Sequence, residues 1–522
     1  MTGGAADGWH GTAVPDTLDA LVTRAARRWP ERTAWVFDHT GTRYTFAEVR
    51  QYSDRWASRL AAAGVREGDA VAVMLRNQPE FPLLWLALAR LGAVLVPVNT
   101  NYRELDTAHV LDDSQARLVV AAGEFTELLA GLARERAGLR VLTPVDLAGL
   151  AGEEVPATGP VPERPVNIQY TSGTTGTPKG CLLPHRYWTT LARSMVEEFP
   201  HLSETDTMLT AQPFHYIDPQ WHVAVGLASG AALVVLDRFH PSSFWDKIRE
   251  HRVTWFYCLG LMPNLLLRQP DRDTDTDHAL RAVCASAIPR EQHAELERRW
   301  GVPWFEAFGM TETGADLRVR ECDHDAAVGT GCIGTPIRDR EVAILDESGA
   351  ILPRGETGEL AIRGTGMMLG YHGRPDDTER AFRSGWFHTR DLARMDADGR
   401  VYFVGRRKDM IRRSGENISA EEVERALTLH PDVAMAAVTA VPDDLRGEEV
   451  QAHVVLVEQA TAAPEELAEF CARKLAYFKV PRYWRFVDSL PMTASERVAK
   501  GRLATGGDPR TGSYDRAERR WL

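Results

Sequence analysis

The stretch Tyr170-Thr-Ser-Gly-Thr-Thr-Gly-Thr-Pro-Lys-Gly180 gathers the groups that a polyphosphate needs. Gly173, Gly176 and Gly180 permit tight, positive-φ turns that aim backbone amides inward. Thr171, Ser172, Thr174, Thr175 and Thr177 offer hydroxyls, and Lys179 supplies a cation. The stretch does not follow the pattern G-x-x-x-x-G-K-[ST], because Pro178 precedes the lysine and Gly180 follows it. A flexible surface turn is the bland alternative for a Gly/Thr loop, and a string this long and this uniform in chemistry argues against it.

Three later strings extend the theme. Phe308-Gly-Met-Thr-Glu-Thr-Gly314 sets an aromatic face, suited to a purine, beside a carboxylate, suited to a hard cation that bridges phosphates. In His388-Thr-Arg-Asp391 the carboxylate can accept two hydrogen bonds from a cis-diol. Gly405-Arg-Arg-Lys-Asp-Met-Ile-Arg412 is a basic run that would ordinarily be a solvated face. In this order and spacing the strings resemble the motifs of the adenylate-forming superfamily, which includes acyl-CoA synthetases, luciferases and the adenylation domains of peptide synthetases. The resemblance covers nearly the whole chain. The hinge segment Ile411-Arg-Arg-Ser-Gly-Glu-Asn-Ile418 most resembles the crotonobetaine/carnitine-CoA ligase-like branch.

The resemblance implies an enzyme that uses ATP and Mg²⁺ to activate an acid as its AMP ester, then passes it to an acceptor, expected to be coenzyme A. It implies that Thr171, Ser172, Gly173, Thr174, Thr175 and Gly176, with Lys179, hold the phosphates. Ser286, Ala287, Glu306, Ala307 and Phe308 would frame the adenine, and Thr311 would touch the α-phosphate. Glu312 would be the metal ligand, Asp391 and Arg406 would fix the ribose, and Asp409 would be the hinge. Gly309 and Met310, with His215 and Trp221 from Pro213-Phe-His-Tyr-Ile-Asp-Pro-Gln-Trp221, would border the acid in a closed, modest-sized pocket. For His215 the competing reading is a core histidine bonded to backbone. Gly358-Glu-Leu-Ala-Ile-Arg-Gly364 and Leu369-Gly-Tyr371 match family strands and read as structural.

Two positions depart from the family. Arg390 stands where glycine is usual. Leu490-Pro-Met-Thr-Ala-Ser-Glu-Arg-Val-Ala-Lys500 resembles the last signature, Pro-x-Thr-x-x-Gly-Lys, but Glu496 takes the glycine position and Arg497 the lysine position. A planar guanidinium does not replace a compact ammonium neutrally. Three readings stay open: Arg497 serves adenylation, Lys500 serves it, or adenylation relies less on this contact. The departure also leaves room for a diazotase, which would adenylate nitrite and pass it to an aromatic amine, and for a nucleotide-binding regulator without turnover.

These residues need a scaffold. Strand-like runs such as 70–75, 93–99, 232–237 and 253–259 alternate with helical periodicity, which predicts α/β layers with a largely parallel sheet. The expected class is α/β, with a large N-terminal domain of layered α/β subdomains over 1–405, a hinge at 406–409 and a small mobile C-terminal α+β domain over 410–522. Ser419 and Glu422 predict a capped helix start in the small domain. Segment 144–165 reads as a surface connection, and the acidic run 271–278 as a solvated loop. The apolar stretch 81–98, broken by Arg90 and Pro97, reads as a buried helix entering a strand, so no membrane span is expected.

A net charge of −12 disfavours general binding to nucleic acid or anionic lipid. The six scattered cysteines read as reduced, mostly buried thiols, and the N-terminus has no signal-peptide pattern, so a cytoplasmic setting is expected. The expected partners are a small-molecule acid and an acceptor, and a homo-oligomer is compatible with the sequence.

Overall fold

The computed structural model describes residues 14–171, 178–260, 262–406, 409–413, 416–443, 446–493, 498–503 and 508–522. Helix Leu18–Arg28 begins at Thr17, whose side chain accepts from Ala20 N, and buries Leu18, Leu21, Val22 and Ala25 on one face. Helix Phe46–Ala62 opens on a full capping box between Thr45 and Glu48. Helix Glu80–Leu91 is buried from Phe81 onward and stops at Gly92, whose φ of 69° is the left-handed cap that glycine accepts without strain. Strand Val94–Pro97 follows at once, as the sequence suggested. No helix among the described residues is long and apolar enough to cross a membrane.

The large domain is built on two sheets. In the first, strands Trp304–Met310, Ala282–Ser286, Trp255–Leu259, Thr207–Thr210, Ala232–Val235 and Thr33–Phe37 lie side by side in parallel. Beyond Trp304–Met310 the same sheet turns antiparallel, through Gly314–Arg318, Cys332–Pro336, Val401–Arg406, Trp386–Met395, Thr357–Gly364 and Arg340–Leu345. The second sheet joins Val94–Pro97, Ala70–Met74, Leu118–Ala121 and Arg140–Leu142 in parallel to the hairpin Pro165–Thr171/Lys179–Pro184. Trp85 and Trp188 pack edge to face at 4.9 Å between the layers, and the Trp85 indole donates to Asn167 at 2.8 Å.

Segment 144–165 carries a short helix, Pro144–Ala148, and then runs along the surface. The acidic run 271–278 is not wholly solvated, which corrects the sequence reading. Asp275 is buried and takes Arg299 Nε at 2.8 Å, because a guanidinium buried on the neighbouring helix needs a counter-charge. All six cysteines are free thiols, and only Cys322 is exposed.

The small domain has its own sheet and core. Ser419 caps helix Ala420–Thr428 by accepting from Glu422 N at 3.4 Å, as expected. Long strands Val433–Asp443 and Gly447–Leu456 pair antiparallel, and Val423, Leu427, Val450 and Trp484 pack in a cluster separate from the large core. Trp484 is fully buried, and its indole donates to Pro481 O at 3.0 Å. Trp484→Ala is expected to destabilise the small domain by roughly 3–5 kcal/mol. Hydrogen exchange should then show amides of Gly447–Leu456 losing protection while those of Ala282–Ser286 keep theirs.

Candidate active site

The segment expected to hold the phosphates joins two antiparallel strands, Pro165–Thr171 and Lys179–Pro184. Thr171 lies opposite Lys179 where the two strands leave the sheet. Ser172, Gly173, Thr174, Thr175 and Gly176 lie outside the described residues. The Lys179 ammonium sits 3.1 Å from Asp377 and 5.1 Å from the centre of the Tyr371 ring. Gly180 does not serve a turn, which corrects the sequence reading. It lies inside strand Lys179–Pro184, where an added Cβ would fall 2.5 Å from Ile168 Cγ2, so the position is set by packing.

The residues expected to frame the adenine lie at and beyond the carboxyl ends of two parallel strands, Ala282–Ser286 and Trp304–Met310. Ser286 Oγ donates to Ala307 O at 2.8 Å and meets the Tyr257 hydroxyl at 2.7 Å. Ala287 adopts φ 70°, a region that L side chains seldom enter. That turn aims Ala287 N and Ile288 N at the Glu306 carboxylate, at 2.6 and 2.8 Å. Burial pushes Glu306 up to about 8, against the pull of those two amides. Phe308 follows, half-exposed, and then a bulge at Gly309, where a Cβ would lie 2.0 Å from Gly314 O.

Met310 ends that strand, and Thr311, Glu312 and Thr313 form the turn that follows it. Burial raises the Glu312 carboxyl above its ordinary range, while the Tyr371 hydroxyl, Arg406 and Lys179 act against the rise. Tyr371 Oη donates to Glu312 Oε1 at 3.0 Å, and Met368 N donates to Glu312 O at 2.8 Å. Tyr371 was read as a strand residue alone; here it also braces a site carboxylate. A partly buried carboxylate beside a hydroxyl residue is an all-oxygen donor set that suits a hard divalent cation. The turn is held from beneath by Arg340, which pairs with Asp316 at 2.9 Å and donates to Thr313 O. Neither Arg340 nor Asp316 has a sequence signal of its own.

Asp391 and Arg406, expected to fix the ribose, pair across antiparallel strands, with Arg406 Nε 3.5 Å from Asp391 Oδ1. Asp391 is buried, and its backbone N donates to Thr389 Oγ1 at 3.0 Å. Arg390 has φ 64°, which gives a physical reason for glycine at this position in the family. Its N–H donates to Glu359 Oε1 at 3.0 Å, and the other Glu359 oxygen meets His388 at 3.1 Å. Lys179, Glu312, Arg406 and Asp391 are thus linked as one polar cluster.

Of the residues expected to border the acid, Trp221 connects through Tyr257 to Ser286. His215 is buried, and neither ring nitrogen has a hydrogen-bond partner among the described residues, so the backbone-bonded core histidine is not realised. Burial pulls its pKa down to about 3, so the ring is neutral at pH 7. Trp221 stacks on His222 at 3.7 Å, meets Tyr257 edge-on at 5.3 Å, and donates to Asp218 at 3.3 Å. Tyr257 connects this group to Ser286. His222 and Tyr257 were not singled out from sequence. Asp218, Trp221 and His222 do share one face of helix Ile217–Ser229 by i, i+3 and i+4 spacing, a signal that could have found His222.

Of the last signature, Arg497 lies outside the described residues. Lys500 is 2.7 Å from Glu424 and 3.6 Å from Asp409. No ion pair among the described residues joins Lys500 to Glu312 or Asp391.

Comparison with known proteins places this geometry. A family model described as AMP-binding enzyme matches residues 22–372, and one described as AMP-binding enzyme C-terminal domain matches 422–497. The chain is 33% identical over 501 residues to a sulfoacetate–CoA ligase of Cupriavidus necator, covering 94% of this chain and 97% of that protein. It is 31% identical over 504 residues to a crotonobetaine/carnitine–CoA ligase of Salmonella agona, covering 91% and 96%. Among solved structures it is similar to o-succinylbenzoate CoA synthetase from Bacillus subtilis in complex with an acyl-adenylate. That match has a TM-score of 0.85 and 28% identity, and covers 94% of this chain and 98% of the other.

Two consequences can be measured. The Glu306 carboxyl titrates near 8 in the fold and near 4.3 when unfolded, so its contribution is fully present below about pH 4.3 and is lost as pH rises through 8. The melting temperature of the wild type is expected to fall more steeply between pH 5 and pH 8 than that of Glu306→Gln; parallel curves would contradict this. At the strained turn, Arg390→Gly is expected to melt at or above the wild-type temperature, and Arg390→Val to melt below it, with a loss of stability of about 1 kcal/mol or more.

Proposed function

The chain belongs to the AMP-binding enzyme family, and on that premise we propose that it joins a short, polar carboxylic acid to coenzyme A through an acyl-adenylate. It is an ATP-dependent, AMP-forming acid ligase. The observation that carries the finer reading is the convergence of Lys179, Glu312, Arg406 and Asp391 beside the Ser286–Phe308 arm.

In the first half-reaction a carboxylate oxygen of the acid attacks the α-phosphorus of ATP. The bond from that phosphorus to the bridging oxygen breaks, and pyrophosphate leaves. The chain's task is positioning and charge compensation. Lys179 and the loop before it receive the β- and γ-phosphates, Thr311 faces the α-phosphate, and Phe308 and the Ala287 turn receive the adenine. Asp391 and Arg406 hold the ribose. Glu312 would hold Mg²⁺, which offsets phosphate charge when bound. In the second half-reaction a thiolate attacks the acyl carbon, the carbon–oxygen bond to AMP breaks, and AMP leaves. Asp409 is the proposed pivot by which the small domain changes faces between the steps.

Neutral His215 and the Trp221–Tyr257 wall favour a compact acid over a long alkyl chain. The relatives named for sulfoacetate and for crotonobetaine or carnitine support the same size class, and their CoA ligase names favour a thiol acceptor over an aromatic amine. The test incubates the protein with Mg·ATP, coenzyme A and a panel of short acids, and follows AMP and thioester by mass spectrometry. A parallel mixture holds nitrite and aromatic amines. Thioester with stoichiometric AMP in the first mixture is expected; a diazo product in the second alone would overturn the acceptor.

The pairing of Lys500 with Glu424 and Asp409 favours Arg497 as the cation of the first half-reaction. In single-turnover adenylation Arg497→Met is expected to slow the step about 10²–10³-fold, and Lys500→Met less than tenfold. The reverse order would assign the role to Lys500.

A further inference from the structure

We propose that a cavity between the two domains, beside the hinge, binds a phosphate-type polyanion that bridges them. The cavity has a volume of about 260 Å³ and receives Arg290 and Arg394 from the large domain and Arg425, Lys479 and Glu422 from the small one. Lys479 Nζ lies 2.7 Å from both Glu422 oxygens, so that pair is internally neutral. Three guanidiniums are left facing one space. None of them forms an ion pair among the described residues. Arg394 lies over the Tyr402 ring at 4.1 Å. Arg290 donates through Nη2 to Phe403 O, while among the described residues its buried Nε has no hydrogen-bond partner, and the buried Nε of Arg425 has none either.

This arrangement is costly unless something answers it. Guanidiniums stay charged at any ordinary pH, so Arg290 and Arg425 repel across the interface in a partly desolvated space. Burial and then Arg425 both disfavour the Arg290 charge, and Glu291, Glu421 and Glu422 answer only in part. Gly331 keeps the position open, since a Cβ there would lie 1.9 Å from Arg290 Nε. A cationic cluster compensated only in part is the more notable in a chain of net charge −12. Planar N–H forks match phosphate oxygens two at a time, and several charges call for a multivalent anion over a single carboxylate. The volume falls just below the range of about 300–1,000 Å³ typical of pockets for whole organic ligands, so a phosphate or diphosphate unit fits and an entire cofactor does not.

Two sources share that chemistry: free phosphate or pyrophosphate, and a phosphate group of the acceptor coenzyme A, the second resting on the proposed function. The test titrates the full chain calorimetrically, with the ATP site filled by a non-hydrolysable ATP analogue, using inorganic phosphate, pyrophosphate, coenzyme A and 3′-dephospho-coenzyme A. At least one probe is expected to bind saturably, and Arg290→Gln and Arg425→Gln are each expected to weaken it tenfold or more while affinity for the analogue is unchanged. Weakening for pyrophosphate or phosphate assigns the free anion; weakening for coenzyme A but not its dephospho form assigns the 3′-phosphate. Absence of saturable binding by every probe, or a loss below tenfold in both variants, would overturn the proposal. Acid-dependent release of pyrophosphate, measured on the same variants, reports separately on the adenylation reading.

Discussion

The buried ion pair between Arg340 and Asp316 is the constraint on which the site rests. The two side chains are 1% and 0% exposed, so neither charge has recourse to water. Burial disfavours the Asp316 carboxylate, and Arg340 and the Thr313 hydroxyl act against that rise. Arg340 also donates to the carbonyls of Thr313, Thr365 and Gly366. One guanidinium thereby fastens the turn that carries Glu312 to the connection that leads to Met368 and Tyr371, the two residues bonded to Glu312. Removing either partner alone would strand a buried charge, at roughly 3–5 kcal/mol.

The second constraint is a strand that serves two geometries. Trp304–Met310 pairs parallel with Ala282–Ser286 through Glu306, then antiparallel with Gly314–Arg318 from Ala307 onward. The parallel half ends where open α/β sheets bind ligands, beyond the strand carboxyl ends. The antiparallel half runs on as a wall, and two residues past the change of partner its register shifts at the bulge where Gly309 meets Gly314. Any side chain at Gly309 would press against backbone, so the Phe308–Gly314 string is as much a folding requirement as a chemical one.

Much of this was legible in the sequence, for reasons that particular residues make plain. Period-two and period-3.6 patterns located strands such as Ala70–Met74 and Trp255–Leu259 and the helix Glu80–Leu91, and the Ser419–Glu422 cap located a helix start, because those signals are local. Lys179, Glu312, Asp391 and Arg406 were named from motif resemblance, and they meet in space. What escaped depends on contacts far along the chain. Arg340 and Asp316 are 24 residues apart and look like ordinary surface charges. Asp275 reads as one acid among several until Arg299 is folded against it. Gly180 reads as a loop glycine until Ile168 is seen beside it. Arg390 was noticed as a departure, but its φ of 64° could not be read from side-chain chemistry.

The contrast between the two ends of the site follows from burial. The pair beneath Glu312 is sealed, whereas the pairs around Arg406 and Asp409 are open. Lys500 and Asp409 are 19% and 22% exposed and 3.6 Å apart, and Arg406 is 32% exposed and 3.5 Å from Asp391. Ion pairs that water can reach contribute about 1 kcal/mol or less. Glu424 is the exception at the hinge: burial pushes it up to about 7, and it accepts from Val438 N at 2.6 Å as well as meeting Lys500. That bond lies within the small domain and would travel with it. The strong contact of the site is therefore the sealed pair beneath Glu312, and the pairs around Arg406 and Asp409 are the weaker, water-accessible ones. On the proposed function, that division of strength would keep the ATP-binding face rigid while the small domain turns about Asp409.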